Sequence, residues 1–303
     1  MMLASNSSKV ETDIMNLWNQ NISHFGYVDI GRLYVYGPSI ERVLHVLKRV
    51  FEMLKGRQSV ERPCYTLIVL PMNQHDTWLE SITNIFRTSG HTPDALIGLA
   101  HLAEADFYSG YACRILPPLF LQLPSIPAKF QKDNYYRYNM NTTHTNLKIF
   151  ATRERPSSAL FVTVPMFAKW YTYFYDEYTF GTECGDTDLP SIYGTVAQAC
   201  RSQDCNTTFV TTPEMGVLTA CIQNYTVLTY ENDESYRYKL CIMKKNMTRV
   251  RYGFLAMDID TDDPSNHCGL GGYARLQNLR RLLEFFKNNF TSPDDYEDCV
   301  KGL

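Results

Sequence analysis

Two segments carry carboxylates where a strand is expected to end. The first, residues 25–34, reads Phe-Gly-Tyr-Val-Asp-Ile-Gly-Arg-Leu-Tyr and contains one acid, Asp29. The second, residues 252–263, contains four acids in its last six positions: Asp258, Asp260, Asp262 and Asp263. Carboxyl groups held in place can donate or accept a proton during bond cleavage. A rearranged pair, Asp29 with Asp258 or Asp260, could do this work if the fold brings the two within about 5 Å.

The second segment also resembles the opening of a calcium loop, because Asp258, Asp260 and Asp262 follow an Asp-x-Asp-x-Asp pattern. A calcium loop of this type has glycine at its sixth position and a bidentate glutamate at its twelfth. Here Asp263 and Gly269 occupy those positions. The pattern therefore favours strand-end acids that accept hydrogen bonds from the loop backbone, and neither a metal nor a cofactor is expected.

Composition and charge exclude several classes of protein. Of the 303 residues, 45% are hydrophobic and 20% are charged, which is typical of a globular chain. The formal net charge of -3 offers no basic field for a phosphate backbone, so nucleic acid is not an expected partner. No stretch approaches the roughly eighteen apolar residues of a membrane span.

Cysteines and glycosylation sequons indicate the secretory pathway. None of the nine cysteines forms a Cys-x-x-Cys pattern, and Cys200 and Cys205 have no second pair at zinc-ligand spacing. A disulfide framework is therefore favoured over a metal site, and the odd count leaves one thiol free or paired outside the chain. Seven Asn-x-Ser/Thr sequons are candidate glycosylation sites. They are Asn6, Asn21, Asn141, Asn206, Asn224, Asn246 and Asn289.

Entry into the secretory pathway requires a signal peptide, and the first residues of this sequence do not resemble one. Residues 1–9 lack the apolar core of a signal peptide. We therefore expect an extracellular protein whose signal peptide is missing from this chain. On this interpretation, the chain is the C-terminal part of a longer secreted product.

Helix and strand patterns alternate along the chain, which predicts an α/β fold with a largely parallel sheet. Residues 40–54 place apolar side chains on one helical face, and residues 64–71 form a continuous apolar run typical of a buried parallel strand. Residues 170–230 hold four cysteines and alternating aromatics, which indicates an inserted α+β subdomain. Further strands are predicted at 27–34, 94–99, 159–167 and 252–259, and further helices at 8–19, 78–86, 234–246 and 273–286.

Residues 25–34 resemble the signature strand of the family 18 glycoside hydrolases, the chitinases and chitinase-like lectins. The family pattern is Phe-Asp-Gly-Ile-Asp-Ile-Asp-Trp-Glu-Tyr, and Phe25, Asp29, Ile30 and Tyr34 match it. Later stretches resemble later family segments in the same order. They are residues 165–169, 191–200, 230–239 and 252–269.

The resemblance implies a (β/α)8 TIM-barrel fold with its site at the carboxyl ends of the strands. On this overlay the chain begins just before the fourth strand, so residues 8–290 would be an incomplete barrel domain of strands four to eight. The inserted α+β subdomain, residues 170–230, would lie between strands seven and eight. Residues 291–303 would be a C-terminal tail. The family arrangement also implies a disulfide between Cys200 and Cys268.

The same resemblance implies that the catalytic residues are substituted. Family 18 hydrolysis uses the acetamido oxygen of the substrate as nucleophile, an aspartate that orients it and a glutamate that protonates the leaving oxygen. Gly31 occupies the orienting position and Leu33 the acid position, while Asp29 would support the neighbouring acids. In the sixth strand His101 replaces a tyrosine. In the eighth strand Met257 replaces the tryptophan that stacks on sugar.

Four positions are candidate contacts for carbohydrate on this resemblance: Tyr34, His101, Phe167 and Met257. His101 is also a candidate replacement acid, although a lone histidine beside an apolar strand is more typical of a structural residue.

These substitutions favour a secreted chitinase-like pseudoenzyme that binds a chitin-type oligosaccharide or an extracellular protein. One alternative is an active glycosidase that cleaves N-acetylglucosamine polymers with rearranged carboxylates. The other is an inactive product of an incomplete gene.

Overall fold

The computed structural model describes residues 7–28, 37–72, 76–101, 114–121, 139–154, 158–173, 178–185, 193–202, 205, 209–221 and 225–302. The strands are β1 (His24–Val28), β2 (Tyr65–Leu70), β3 (Ala95–Gly98), β4 (Ala159–Pro165), β5 (Ala168–Thr172), β6 (Tyr193–Gly194), β7 (Phe209–Thr212), β8 (Gly216–Cys221), β9 (Thr226–Tyr230) and β10 (Tyr252–Met257). The helices are α1 (Ser7–Asn19), α2 (Gly37–Leu54), α3 (Asp76–Ser89), α4 (Met140–Glu154), α5 (Val196–Arg201), α6 (Asp233–Lys245), α7 (Ala274–Asn288) and α8 (Tyr296–Lys301). No helix in these ranges is long and apolar enough to cross a membrane.

Five strands form a parallel sheet in the order β1-β2-β3-β4-β10. Parallel neighbours need crossover connections, and helices supply them here. This architecture confirms the predicted α/β class. Among the described residues β1 pairs with β2 alone and β10 with β4 alone, so no closure into a barrel is seen. We call the side on which these strands end the carboxyl edge, and the side on which they begin the amino edge.

The main core lies between this sheet and the helices. In β2, Ile68 and Leu70 face the helices, while Val69 faces the opposite side of the sheet with Ile97 of β3. Gly98 allows α4 to approach the sheet closely, because a Cβ atom there would lie 2.4 Å from Cγ2 of Thr143. The first turn of α4 is therefore held directly against the end of β3.

The first strand begins three residues earlier than predicted. His24 pairs with Tyr65, the first residue of β2, so the pairing register with β2 sets the start of β1. The predicted continuation to Tyr34 cannot be compared, because residues 29–36 lie outside the described ranges. Asp29, Gly31, Leu33 and Tyr34 are among them.

The predicted insertion corresponds to a second, antiparallel sheet in the order β6-β5-β9-β8-β7. It begins at Ala168, three residues after β4 ends, and its β9 ends at Tyr230. A disulfide joins Cys205 to Cys221 within it. This inserted subdomain therefore packs as a sheet of its own beside the parallel one.

The predicted C-terminal tail is an ordered part of the fold. Residues 293–295 form a 3₁₀ turn that Ser292 caps, and α8 follows. Cys299 of α8 is buried and forms a disulfide with Cys241 of α6. Sequence alone could not pair these cysteines, so it could not show that this segment packs on the domain.

Two buried polar side chains, one from α4 and one from β10, pack against each other. His144 packs edge-on against Tyr252, with ring centroids 5.5 Å apart. Within the described structure, neither ring nitrogen of His144 nor the Tyr252 hydroxyl has a hydrogen-bond partner. Burial, and to a lesser extent the charge of Lys148, lowers the pKa of His144 to about 4. An unsatisfied buried polar group costs about 1–3 kcal/mol, so this site destabilises the fold.

We expect His144→Leu to raise the free energy of unfolding and to reduce the loss of that free energy at acid pH. A histidine whose folded pKa lies below 6.5 leaves stability intact above pH 6.5, and stability is lost as the pH falls toward the folded pKa. The shift to about 4 corresponds to a loss of up to roughly 3 kcal/mol at low pH. Urea unfolding at pH 7 and pH 4.5 would measure both effects.

The exposed His45 of α2 offers a matched control for this substitution. His45→Leu should leave the pH dependence as in the parent. If His144→Leu lost as much stability between pH 7 and 4.5 as His45→Leu, the burial argument for His144 would be wrong.

Candidate functional site

Three predicted site residues meet at the carboxyl edge. His101 follows β3, Phe167 follows β4, and Met257 ends β10, where it lies opposite Pro165. Thr163 links β4 to the segment that follows β3. Its Oγ1 accepts a hydrogen bond from the amide of Ala100 at 2.9 Å and shares one with Nδ1 of His101 at 2.7 Å. The His101 ring also meets Phe167 edge-on, at 6.0 Å.

His101 is an interior residue. Its side chain is 1% exposed, and burial lowers its pKa to about 3. Such an imidazole is neutral at physiological pH, so it has no acidic proton to give a leaving oxygen. The structure therefore places a structural histidine where the sequence offered a candidate replacement acid.

The predicted sugar contacts differ in exposure. Phe167 is 1% exposed and packs against the ring of Tyr193 at 4.8 Å, so neither Phe167 nor His101 presents a face to solvent. Their burial is at odds with a direct sugar contact, because the strand end is covered by neighbouring segments. Met257 is half-buried. Tyr34 lies outside the described ranges.

The acids that follow β10 have separate roles. Asp262 is buried and accepts a hydrogen bond from Nε of Arg275 at 2.8 Å. Asp263 accepts from the amides of Cys268 at 2.7 Å and His267 at 2.9 Å. Desolvation opposes ionisation of Asp263, but these two bonds lower its pKa overall. Acids that bind the loop backbone were the favoured prediction for this segment.

Two acids of that segment, Asp258 and Asp260, are exposed. Asp258 adopts a left-handed backbone conformation with φ of 55°, and its carbonyl accepts a bond from the amide of Thr261. Desolvation, and then the neighbouring Asp260, raise the pKa of Asp258. Among the described residues, no group of three or more His, Cys, Asp or Glu side chains is arranged to hold a metal ion.

A buried ion pair links the end of the inserted subdomain to the loop after β3. Nζ of Lys239 lies 2.6 Å from Oε2 of Glu231 and donates to the carbonyl of Leu119 at 2.7 Å. Glu231 also accepts from the Ser235 hydroxyl and from the amide of Leu119. Both charged side chains are 0% exposed. Each is fully surrounded by partners, as a buried charge requires.

Arg275 extends this network to the carboxyl edge. Its guanidinium binds Asp262 and also donates to the carbonyls of Glu231 and Met166. It thus holds the start of α7, the end of β9 and the residue after β4 together. The Tyr236 hydroxyl donates to the carbonyl of Pro165 in the same region.

A groove of about 590 Å³ lies between the inserted subdomain and the first turns of α6 and α7. Val196 and Val217 contribute apolar surface, and Asn232 and Arg281 contribute polar groups. None of His101, Phe167 and Met257 lines it. The groove is therefore distinct from the cluster at the carboxyl edge.

Comparison with known proteins yields similarity in structure alone. No protein-family profile and no curated protein matches the chain. The Group IV chitinase of Ostrinia furnacalis superposes with a TM-score of 0.65 at 14% identity, over 93% of this chain and 75% of that one. Human YKL-39, a pseudo-chitinase, gives 0.64 at 16% identity, over 92% and 75%. The chitinase TsES1 of Trichuris suis gives 0.64 at 11%, over 92% and 75%.

The chain has the chitinase fold. These neighbours are family 18 chitinases and chitinase-like proteins, so the resemblance read from the sequence is confirmed at the level of fold. The pairing that this resemblance implied is also present, because Cys200 and Cys268 form a disulfide between α5 and the loop before α7. Within the chitinase fold, this bond ties the inserted subdomain to the segment that follows β10.

The buried ion pair between Glu231 and Lys239 was not predicted from the sequence. A weak signal was present, since Ser235 and Lys239 lie four residues apart on one face of α6, and Glu231 precedes Ser235 by the same interval just before the helix begins. The spacing could not show burial, because Leu119 completes the pair from a distant part of the chain.

Proposed function

We propose that this protein is an extracellular chitinase-like protein that binds a chitin-type oligosaccharide and does not hydrolyse it. One observation carries the proposal. The positions that the resemblance assigns to catalysis hold Gly31, Leu33 and a buried, neutral His101, none of which can protonate a leaving oxygen. A chain that lost only one of these groups could retain a residual rate, but losing them together removes the mechanism.

Extracellular location is supported by the cysteines and sequons. Disulfides persist in oxidising compartments, and three are placed in the described structure. Cys184 is also disulfide-bonded, while Cys64 is a buried free thiol. We further propose that residues 8–290 correspond to strands four to eight of a TIM barrel. The strand order β1-β2-β3-β4-β10 is the order that such a barrel would show.

Sugar binding is supported by one neighbour in particular. Human YKL-39 is described as a pseudo-chitinase with retained chitooligosaccharide binding, so this fold can keep the ligand after losing the chemistry. Two candidate contacts remain in this chain. They are Met257, which is half-buried, and Tyr34, which lies outside the described ranges. A protein partner in place of sugar is the second candidate from sequence, and no described feature favours it.

We expect the purified chain to release no product from chitobiose- or chitotriose-based substrates. Calorimetry should nevertheless detect saturable binding of a chitooligosaccharide. Met257→Trp should tighten that binding about two- to tenfold, because aromatic stacking contributes about 0.5–1.5 kcal/mol. The same variant should remain inactive, since stacking restores no proton donor.

Val60→Trp is the matched control, because Val60 is 96% exposed between α2 and β2, at the amino edge. It should bind sugar as the parent does. Absence of binding in parent and Met257→Trp alike would contradict the sugar-binding proposal. Product release that Asp258→Asn abolishes would instead support an active glycosidase, because Asp258 is exposed and has a raised pKa.

A further inference from the structure

A smaller pocket adjoins the groove between the inserted subdomain and the first turns of α6 and α7. Its volume is about 190 Å³, and it shares Asp233, Asn278 and Arg281 with the groove. Arg237 and Leu282 also line it. We call it the arginine pocket, because it brings one arginine of α6 and one of α7 to the same place. Groove and pocket together form a recess with a charged end.

The arginine pocket carries an excess of positive charge. Arg237 forms an ion pair with Asp233, one turn earlier on α6, in which Nη2 lies 3.4 Å from Oδ2. Nε of Arg237 is buried and has no hydrogen-bond partner within the described structure. Arg281 is exposed, and its Nη2 donates to the neutral amide oxygen of Asn278. Two guanidinium groups therefore share the pocket with one carboxylate.

The other two acids that line the groove already have partners. Asp262 accepts a hydrogen bond from Nε of Arg275 at 2.8 Å in a buried ion pair. Asp263 accepts from the backbone amides of His267 and Cys268. These carboxylates are therefore committed to the loop after β10 and to α7, and they do not neutralise the arginine pocket.

Apolar groups line much of the remaining groove. Val196 of α5 and Val217 of β8 are buried, whereas Leu270, two residues after Cys268, is 76% exposed. Covering such a leucine with an apolar ligand is favourable, because it removes hydrocarbon surface from water. A volume of about 590 Å³ lies within the range of small-molecule sites, which are mostly apolar with a few polar groups that orient the ligand.

We propose that this recess binds an amphipathic carboxylate, a hydrocarbon chain that ends in a single carboxylate group. The carboxylate binds Arg281 and Arg237, because a guanidinium donates paired hydrogen bonds to carboxylate oxygens. The hydrocarbon chain covers the apolar side chains of the groove. Asp233 disfavours a second negative charge on the ligand, because like charges repel at short range. The recess is separate from the cluster at the carboxyl edge, so this inference does not rest on sugar binding.

The first test is calorimetric titration of the full chain with octanoate at concentrations below micelle formation. Octanoate should bind saturably at one site. Acetate lacks the hydrocarbon chain and 1-octanol lacks the charge, so each should bind at least about tenfold more weakly. The proposal is overturned if octanoate does not bind, or if 1-octanol binds as tightly as octanoate.

The second test replaces the arginine that is exposed in the recess. Arg281→Gln should weaken octanoate binding about tenfold, the effect of losing a hydrogen bond to a charged group. Arg280→Gln is the matched control, because it makes the same change of charge one residue earlier in α7. Arg280 is 82% exposed, pairs with Glu284 and lines neither the groove nor the arginine pocket. The proposal is wrong if the two variants bind octanoate equally well.

Competition distinguishes this site from the carboxyl edge. Octanoate should bind equally well with and without a saturating chitooligosaccharide, because none of His101, Phe167 and Met257 lines the groove. Displacement of octanoate by the sugar would place both ligands at one site and overturn the proposal. A chain that binds octanoate but no chitooligosaccharide would support this inference and contradict the proposed function.

Discussion

Lys239→Met is expected to lower the free energy of unfolding by about 3–5 kcal/mol. The substitution leaves Glu231 without a counter-charge in a site from which water is excluded, and it removes the donor to the Leu119 carbonyl. Burial already lowers the pKa of Lys239 against the opposing influence of Glu231, so the site is costly to ionise. Urea unfolding followed by circular dichroism at pH 7 would measure the loss.

Lys301→Met provides the surface comparison for this result. Lys301 and Glu297 form an ion pair in α8 with both side chains 71% exposed. Exposed pairs contribute about 0.3–0.5 kcal/mol, so this variant should be nearly neutral. A loss at Lys239 no larger than that at Lys301 would contradict the buried pair.

A double substitution tests the cause of the first effect. Lys239→Met combined with Glu231→Leu removes both charges and should recover much of the stability, because no uncompensated charge is left. If the double variant were as unstable as the sum of the two single variants, packing would explain the loss better than charge.

The second large effect is expected when Cys200 and Cys268 are both replaced by serine. The bond closes a loop whose ends are 68 residues apart in sequence. Chain-entropy arguments assign about 4 kcal/mol to a loop of this length, because the unfolded chain regains freedom when the link is cut. Urea unfolding under non-reducing conditions would measure the change.

The disulfide inside the inserted subdomain is the matched comparison. Cys205 and Cys221 are separated by 16 residues, and their joint replacement by serine should cost about 3 kcal/mol. A loss below about 1 kcal/mol for the Cys200 and Cys268 pair would show that this bond does not constrain the chain. It would also weaken the view that the bond ties the subdomain to the parallel sheet.

Secondary structure was largely predictable because its causes are local. Residues 64–71 and 40–54 show the apolar patterns of a buried strand and an amphipathic helix, and β2 and α2 lie there. No helix was predicted in the C-terminal tail, because its order has a distant cause. Residues 296–301 are too few to signal a stable helix by themselves, and their order depends on α6 through Cys241 and Cys299.

The surroundings of His101 could not be read from the sequence, although a structural histidine was the favoured interpretation. The sequence placed His101 at a strand end, and the structure agrees. Its burial depends on Thr163 and Phe167, which lie some sixty residues later in the chain. A pKa follows from the surrounding solvent and charges, so residue identity alone could not show that this imidazole is neutral.

The sequence by itself determined the order of the elements, because the apolar patterns that specify them are properties of residue type along the chain. That Leu33 and Gly31 replace the acid and the orienting group stays a prediction from the family resemblance. Tertiary structure alone decided that Glu231 and Lys239 form a buried pair, that His144 has no hydrogen-bond partner among the described residues and that α8 packs on the domain. The physical reason is that burial, desolvation and hydrogen-bond satisfaction depend on which distant segments exclude water from a side chain, and these contacts exist only in the folded chain.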